Sequence, residues 1–129
     1  MSAAKEGTQL RRQVSARSEA AVVKLEALEA ELSGYEESFK NMVIKASAGP
    51  EIAEVRKIKD ELALLNGKVD ALQMRGIDAV QVGELSSGQQ EAREKRKGLT
   101  KRVTLLSERI VKLHEAIMEH LKEVAQTAP

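Results

Sequence analysis

The sequence predicts an all-α protein, built as an antiparallel up-down-up bundle of three long helices. Ala, Glu, Lys, Leu and Arg supply just over half of the 129 residues, a composition typical of long helices. Apolar residues recur every three or four positions, the spacing that puts side chains on one face of a helix. Tyr35 and Phe39 are the only aromatic residues, too few for a typical β-sandwich or barrel.

The first predicted helix spans about residues 15–46 and ends at a Gly-Pro turn. Its apolar stripe consists of Ala21, Leu25, Leu28, Leu32, Tyr35, Phe39 and Met42. Proline cannot continue a helix but fits the first turn of the next one, so Gly49-Pro50 marks the junction. Residues 1–14 are polar and weakly patterned, and we expect a flexible tail there and a frayed end over residues 125–129.

The second predicted helix spans about residues 50–75 and the third about residues 87–124. Their stripes are Ile52, Val55, Ile58, Leu62, Leu65, Val69 and Leu72, then Ala92, Leu99, Val103, Leu106, Ile110, Leu113, Ile117 and Leu121. Gly76 is expected to end the second helix in a left-handed conformation, and residues 76–88 to form a loop. Ser86 or Ser87 is expected to cap the third helix.

Three helices with apolar stripes must bury them against one another or against a partner chain. The short turn makes the first two helices antiparallel neighbours, and the longer loop lets the third return along both. A long coiled-coil dimer would also satisfy the spacing. The two strong breaks favour the bundle, and we expect a monomer with one domain over residues 15–124.

Composition also excludes several classes of function. With no cysteine there can be no disulfide scaffold, thiolate metal site or cysteine nucleophile. His114 and His120 are six residues apart and do not form the zinc pair found at i, i+4. We therefore expect neither an enzyme nor a bound cofactor or metal. No apolar run suits a membrane span or signal peptide, so we expect a cytoplasmic protein that could also enter the nucleus.

Charge is segregated along the chain although the net charge is only +1. Residues 26–37 carry a charge of −5, and residues 91–102, EAREKRKGLTKR, carry +4. The two runs could attract each other within the bundle, or the basic run could meet a partner. At 100° per residue, Lys97, Lys101 and Thr104 lie opposite the third stripe, with Arg96 on its shoulder.

The second helix has its own outward line, which contains Ala53, Asp60, Leu64, Gly67 and Ala71, with Asp70 on the other shoulder. Leu64 is apolar in an outward position, and glycine inside a helix costs roughly 1 kcal/mol relative to alanine. Gly67 and Gly98 thus indicate either close packing inside the bundle or a docking surface built from the second and third helices.

Three segments of the chain are distinctive: KRKGLTKRV (residues 95–103), VVKLEALEAELSGYEESF (residues 22–39) and GKVDALQM (residues 67–74). In that order they resemble the start of the last helix, the first long helix and the end of the middle helix of the BAG domain, the Bcl-two-associated athanogene family of co-chaperones. The resemblance covers roughly residues 20–120.

The resemblance implies a three-helix bundle that binds the nucleotide-binding domain of the seventy-kilodalton heat-shock chaperone and speeds ADP release. Helices two and three would make the contact. By position, Arg96 and Lys97 match a basic pair that meets acidic groups of the ATPase lobes, and Lys101 belongs to the same patch. On the second helix Asp70 matches an acidic contact, and Asp60 stands where relatives place a Glu. The remaining contact position is Thr104, where relatives carry a Gln.

Two other functions remain open. A coiled-coil adaptor or dimerisation module would have no effect on an ATPase. EKRKGLTKR could also be a nucleic-acid patch, but interleaved acidic residues, a near-zero net charge and the lack of a nearby aromatic disfavour it. We therefore expect a protein partner, with no nucleic acid and no membrane.

Overall fold

The computed structural model describes the backbone of residues 2–80 and 89–127 and the side chains of residues 19–80 and 90–127. Its helices are α1 (Ser2–Ser47), α2 (Ile52–Ala71) and α3 (Gln89–Thr127), with a π-helical turn (Leu72–Ile77) continuing α2. Strands are absent from this part of the chain. The prediction of an all-α bundle of three helices is confirmed.

The bundle has the predicted up-down-up order. On α3, Lys95 reaches Glu26 of α1, and Arg102 reaches Glu29 and Glu36 further along α1. Residue numbers therefore increase in the same direction on both helices, which makes α1 and α3 parallel. Since a short turn reverses the chain after α1, α2 runs antiparallel to both, and each helix contacts the other two.

The turn between α1 and α2 follows from its glycine and proline. Gly49 has φ 68°, in the left-handed region that favours glycine, and the Ala48 N–H donates to the Lys45 carbonyl at 3.3 Å. The N-cap is Glu51, whose carbonyl accepts from the Val55 N–H at 3.0 Å. Pro50 therefore lies just before α2 and not in its first turn as predicted.

The core is formed mainly by the three stripes that the spacing predicts. The largest fully buried side chains are Leu25, Leu32, Ile58, Leu62, Val69, Ile77, Leu99, Val103 and Ile110. Tyr35, Phe39 and Met42, at the carboxyl end of the first stripe, are only half-buried but pack against this core. Buried apolar side chains from every helix thus hold α2 and α3 in a fixed relative position.

The end of the second helix differs from the prediction. Gly76 does not adopt a left-handed conformation but lies inside the π-helical turn, whose end is closed by the Asp78 N–H donating to the Gln73 carbonyl at 2.9 Å. A Cβ on Gly76 would stand 2.6 Å from Cδ2 of Leu28, so glycine here makes room for α1. The wider turn buries Ile77, which the predicted loop had left out of the core.

The predicted helix ends need correction too. Helix α1 begins at Ser2 and not near residue 15, so residues 2–14 are helical where a tail was expected. This segment contains no proline, and its Ala, Arg and Gln residues have high helix propensity. Helix α3 continues to Thr127, past the predicted end at 124. The predicted caps Ser86 and Ser87 lie outside the described residues.

Candidate partner-binding surface

The basic run of α3 divides between two faces of the helix. Lys95 and Arg102 are seven residues apart and share a stripe, and both reach carboxylates of α1. Arg96, Lys97 and Lys101 make no ion pair within 4.0 Å in the described parts of the chain. The attraction between the two runs is therefore carried by Lys95 and Arg102, while Arg96, Lys97 and Lys101 take no part in it.

The strongest of the pairs between α1 and α3 involves Arg102. Its guanidinium donates to both carboxylate oxygens of Glu36, to Glu29 Oε2 at 3.2 Å and to Ser33 Oγ at 3.1 Å. The hydrogen bond to Glu36 raises the pKa of Arg102 above its ordinary value. Because this residue fixes α3 against α1, its role is structural.

A second hydrogen bond to a carboxylate lies within α1. The hydroxyl of Tyr35 donates to Glu31 Oε1 at 2.6 Å, and this hydrogen bond raises the pKa of Tyr35 to about 12. A phenol held by a carboxylate is kept protonated, which makes it a poor nucleophile or base at neutral pH. Neither raised pKa indicates an acid–base catalyst.

The remaining predicted residues of α3 are available to a partner. Lys97 and Lys101 are exposed, as predicted, and Arg96 is half-buried on the shoulder of the helix. The exposed Thr104 uses its hydroxyl proton within the helix, donating to the Thr100 carbonyl at 2.9 Å. Its oxygen can still accept a hydrogen bond from a partner. This stretch of α3, residues 96–104, therefore offers three positive charges and one acceptor.

The predicted acidic residues lie on the exposed side of α2. Asp70 has no ion pair within 4.0 Å among the residues that the structure describes, and it is exposed. Asp60 is exposed too, with Lys59 Nζ 3.8 Å from its Oδ1. An exposed pair at this distance contributes little to stability, so the Asp60 carboxylate remains accessible. We call Asp60, Asp70, Arg96, Lys97, Lys101 and Thr104 together the α2–α3 surface.

The relative register of α2 and α3 sets the order of charges along this surface. Ser107 Oγ donates to Asn66 Oδ1 at 3.5 Å, which aligns the two antiparallel helices at these residues. Asp70 therefore lies level with the turn that contains Thr104, and Asp60 lies beyond Ser107. At 1.5 Å per residue, Asp60 and Lys97 are separated by about 24 Å along the bundle. Along the surface, Asp60 lies at one end, Asp70 lies near Thr104 in the middle, and Arg96 and Lys97 lie at the other end.

The two helical glycines differ in position. A Cβ built on Gly67 or on Gly98 would meet no atom within 4 Å, so neither glycine is required for packing inside the bundle. Gly67 lies on the exposed side of α2, as predicted. Gly98, however, falls between Lys95 and Arg102, which both reach α1. It therefore lies on the α1 side of α3 and not on the α2–α3 surface, which corrects the sequence interpretation.

Alanine at either glycine should stabilise the protein. We expect Gly67→Ala and Gly98→Ala each to raise the free energy of unfolding by about 0.5–1 kcal/mol, because alanine loses less backbone entropy in a helix. Urea unfolding followed by circular dichroism measures this change. Gly34→Ala on α1, where a Cβ also meets open space, is the matched control and should give a similar gain. A loss of stability at Gly67 alone would show that α2 packs closely there.

One large exposed apolar residue at the end of the second helix was not singled out from the sequence. Met74 is 73% exposed in the π-helical turn. A uniform 100° per residue does not apply to a π turn, so the helical wheel could not place it. Leu64 on α2 is 68% exposed, as its outward position predicts. Both side chains therefore expose apolar area to water on the second helix and its π-helical turn.

No cluster of three or more His, Asp or Glu side chains suited to a metal occurs within the described ranges. In the same ranges, no helix has the length and apolar character to cross a bilayer.

Comparison with protein-family models, with curated proteins and with solved structures finds no match to this chain.

Proposed function

We propose that this protein is a co-chaperone that binds the nucleotide-binding domain of the seventy-kilodalton heat-shock chaperone and promotes ADP release. The proposal rests on the resemblance of three segments to the BAG domain and on one structural observation. Arg96, Lys97 and Lys101 have no carboxylate partner in the described chain, whereas Lys95 and Arg102 of the same run are paired within the bundle. Unpaired cations on a rigid helix are suited to an acidic partner surface.

The spacing of charges supports contact with two separate parts of the partner. Arg96 and Lys97 lie at one end of the α2–α3 surface, and Asp60 lies about 24 Å away at the other end. A two-lobed ATPase can offer acidic groups on one lobe and basic groups on the other. Because a packed core fixes the two ends of the bundle, they match only one relative position of the lobes.

Nucleotide release would then follow from thermodynamic linkage. If the bundle binds the open ATPase better than the closed one, it shifts the population towards the open form. A coupling free energy of about 1–3 kcal/mol would lower the affinity for ADP five- to a hundredfold, and ADP would lower the affinity for the bundle by the same factor. No catalytic group on the bundle is needed.

Nucleotide dependence of binding tests this mechanism. The affinity of the chain for the isolated ATPase domain is measured by calorimetry without nucleotide and with saturating ADP. We expect at least fivefold weaker binding with ADP, since linkage is reciprocal. Equal affinities in the two conditions would contradict nucleotide exchange while leaving a simple binding role.

A structural adaptor or dimerisation module without exchange activity is the second candidate. The exposed apolar residues Val23 and Ile44 on α1 favour it, because apolar side chains in water are sites of association. This function requires a dimer in sedimentation velocity together with partner binding that is independent of nucleotide.

A further inference from the structure

A groove between α1 and α3 lies on the other flank of α3 from α2. Its lining residues are Glu36, Phe39, Lys40, Val43, Arg102, Leu105, Leu106 and Arg109. Leu105 is 48% exposed and Val43 37%, while Leu106 is buried and Phe39 half-buried. The groove therefore offers an apolar floor with two apolar side chains still in contact with water.

The charges of this groove are unbalanced. Its one carboxylate, Glu36, is occupied by Arg102 through two hydrogen bonds. Lys40 and Arg109 have no ion pair within 4.0 Å among the described side chains. The alignment of Lys95 with Glu26 and of Arg102 with Ser33 places Lys40 and Arg109 level with each other on the two walls. Two like charges facing each other across an apolar surface favour an anionic group between them.

The size and the edges of the groove suit a helix. Arg102 and Arg109 are separated by about 10 Å along α3, roughly two helical turns. Gly98 lies seven residues before Leu105 and therefore on the same outer side of α3, beyond the Arg102 end of the groove. Because glycine has no Cβ, the backbone of another helix can approach α3 closely at Gly98. Apolar side chains at i and i+4 of a docked helix would cover Leu105 and Val43, the usual arrangement of a helix in a groove.

We propose that this groove binds an acidic amphipathic helix of a partner protein. Its apolar face would cover Val43 and Leu105, and a Glu or Asp on the adjoining turn would pair with Lys40 and Arg109. Arg is well suited to this role because its guanidinium can bind a carboxylate in bidentate fashion. The site is independent of the α2–α3 surface, so one chain could hold this helix and the partner of α2 and α3 together.

Designed peptides test the proposal. The probe is a fluorescein-labelled helical peptide of about five turns, built on alanine and glutamine, with leucines at i, i+4 and i+7 and glutamates beside them. A second peptide has lysines in place of the glutamates, and a third has alanines in place of the leucines. Fluorescence anisotropy gives the affinity of each for the full chain. We expect the acidic leucine peptide to bind at least tenfold more tightly than either of the other two.

Variants of the chain locate the binding site. Lys40→Glu with Arg109→Glu should weaken the acidic peptide at least tenfold and make the lysine peptide the tighter ligand. Leu105→Gln should weaken both. The control variant carries Lys57→Glu and Lys68→Glu, at two exposed residues of α2. It changes the net charge of the chain by the same amount as the Lys40 and Arg109 double reversal, and it should leave peptide binding unchanged. Circular dichroism confirms that each variant is folded.

Three results would overturn the proposal. The lysine peptide could bind the unmodified chain as tightly as the acidic one, or the double reversal at Lys40 and Arg109 could leave affinity within twofold. Alternatively, sedimentation velocity could show a dimer that Leu105→Gln dissociates, which would assign the groove to a second copy of this chain. Chaperone binding should be unchanged in all groove variants, so the test does not depend on the proposed function.

Discussion

Reversing the charges of Arg96 and Lys97 together, as Arg96→Glu with Lys97→Glu, should abolish binding to the chaperone ATPase domain without changing helix content. Neither side chain is ion-paired within the described chain, so the fold does not depend on their charge. Like charges placed against an acidic partner surface are repelled, and such juxtapositions cost several kcal/mol. Calorimetry measures the loss of binding, and far-ultraviolet circular dichroism confirms the fold.

The matched control reverses two other exposed cations, Lys24 and Lys45, both on α1. Lys24→Glu with Lys45→Glu changes the net charge by the same amount but leaves the α2–α3 surface intact. We expect binding within about twofold of the unmodified chain, apart from a weak long-range effect that salt screens. If the Arg96 and Lys97 variant also kept its affinity within twofold, the assignment of this surface would be wrong.

Replacing Leu106 by alanine should lower the free energy of unfolding by about 2–5 kcal/mol. Leu106 is 4% exposed and belongs to the core that joins α3 to the other helices. Removing its side chain forfeits the burial of its methyl groups and leaves a cavity that the bundle refills only in part. Urea unfolding at equilibrium measures the change, with the slope of the transition checked for two-state behaviour.

Leu64→Ala is the control for this substitution because it removes the same atoms from a surface position. Leu64 is 68% exposed, so its truncation leaves no cavity, and we expect a change below about 0.5 kcal/mol. A change this small for Leu106 as well would mean that α3 does not pack through its predicted stripe.

Local sequence patterns predicted the parts of this fold that depend on local geometry. The spacing of Leu25, Leu62 and Val103 within their stripes depends only on the helical repeat, and all three are buried. The break predicted at Gly49-Pro50 also depends on local geometry, and the chain turns there with Gly49 at φ 68°. Outward positions such as Lys97 and Leu64 follow from the same repeat and are exposed.

Other features depend on contacts between helices and could not be predicted in this way. The role of Gly76 is decided by Leu28 of α1, a residue far away in the sequence. The pattern shows that Lys95 and Arg102 share one side of α3, but not whether that side meets α1 or α2. That choice is set by the handedness of the bundle, which also places Gly98 away from the α2–α3 surface.

The start of α1 shows a third limit of pattern reading. We placed it near residue 15, after a polar and weakly patterned segment, yet a helix can continue beyond its packed face when nothing breaks it. Ser2–Ser47 contains no proline, and its glycines do not interrupt the helix. Apolar periodicity therefore located the packed segment well but predicted the first residue of the helix poorly.

The most direct test of the proposed mechanism is the rate at which fluorescent ADP leaves the purified chaperone when this protein is added at saturation. If the bundle holds the two lobes of the ATPase apart, the release rate of ADP should rise at least fivefold when the unmodified chain is added. With the variant that carries Arg96→Glu and Lys97→Glu, the release rate should stay at its basal value. An unchanged release rate, with the chain shown to be bound, would contradict the claim that the bundle selects the open ATPase.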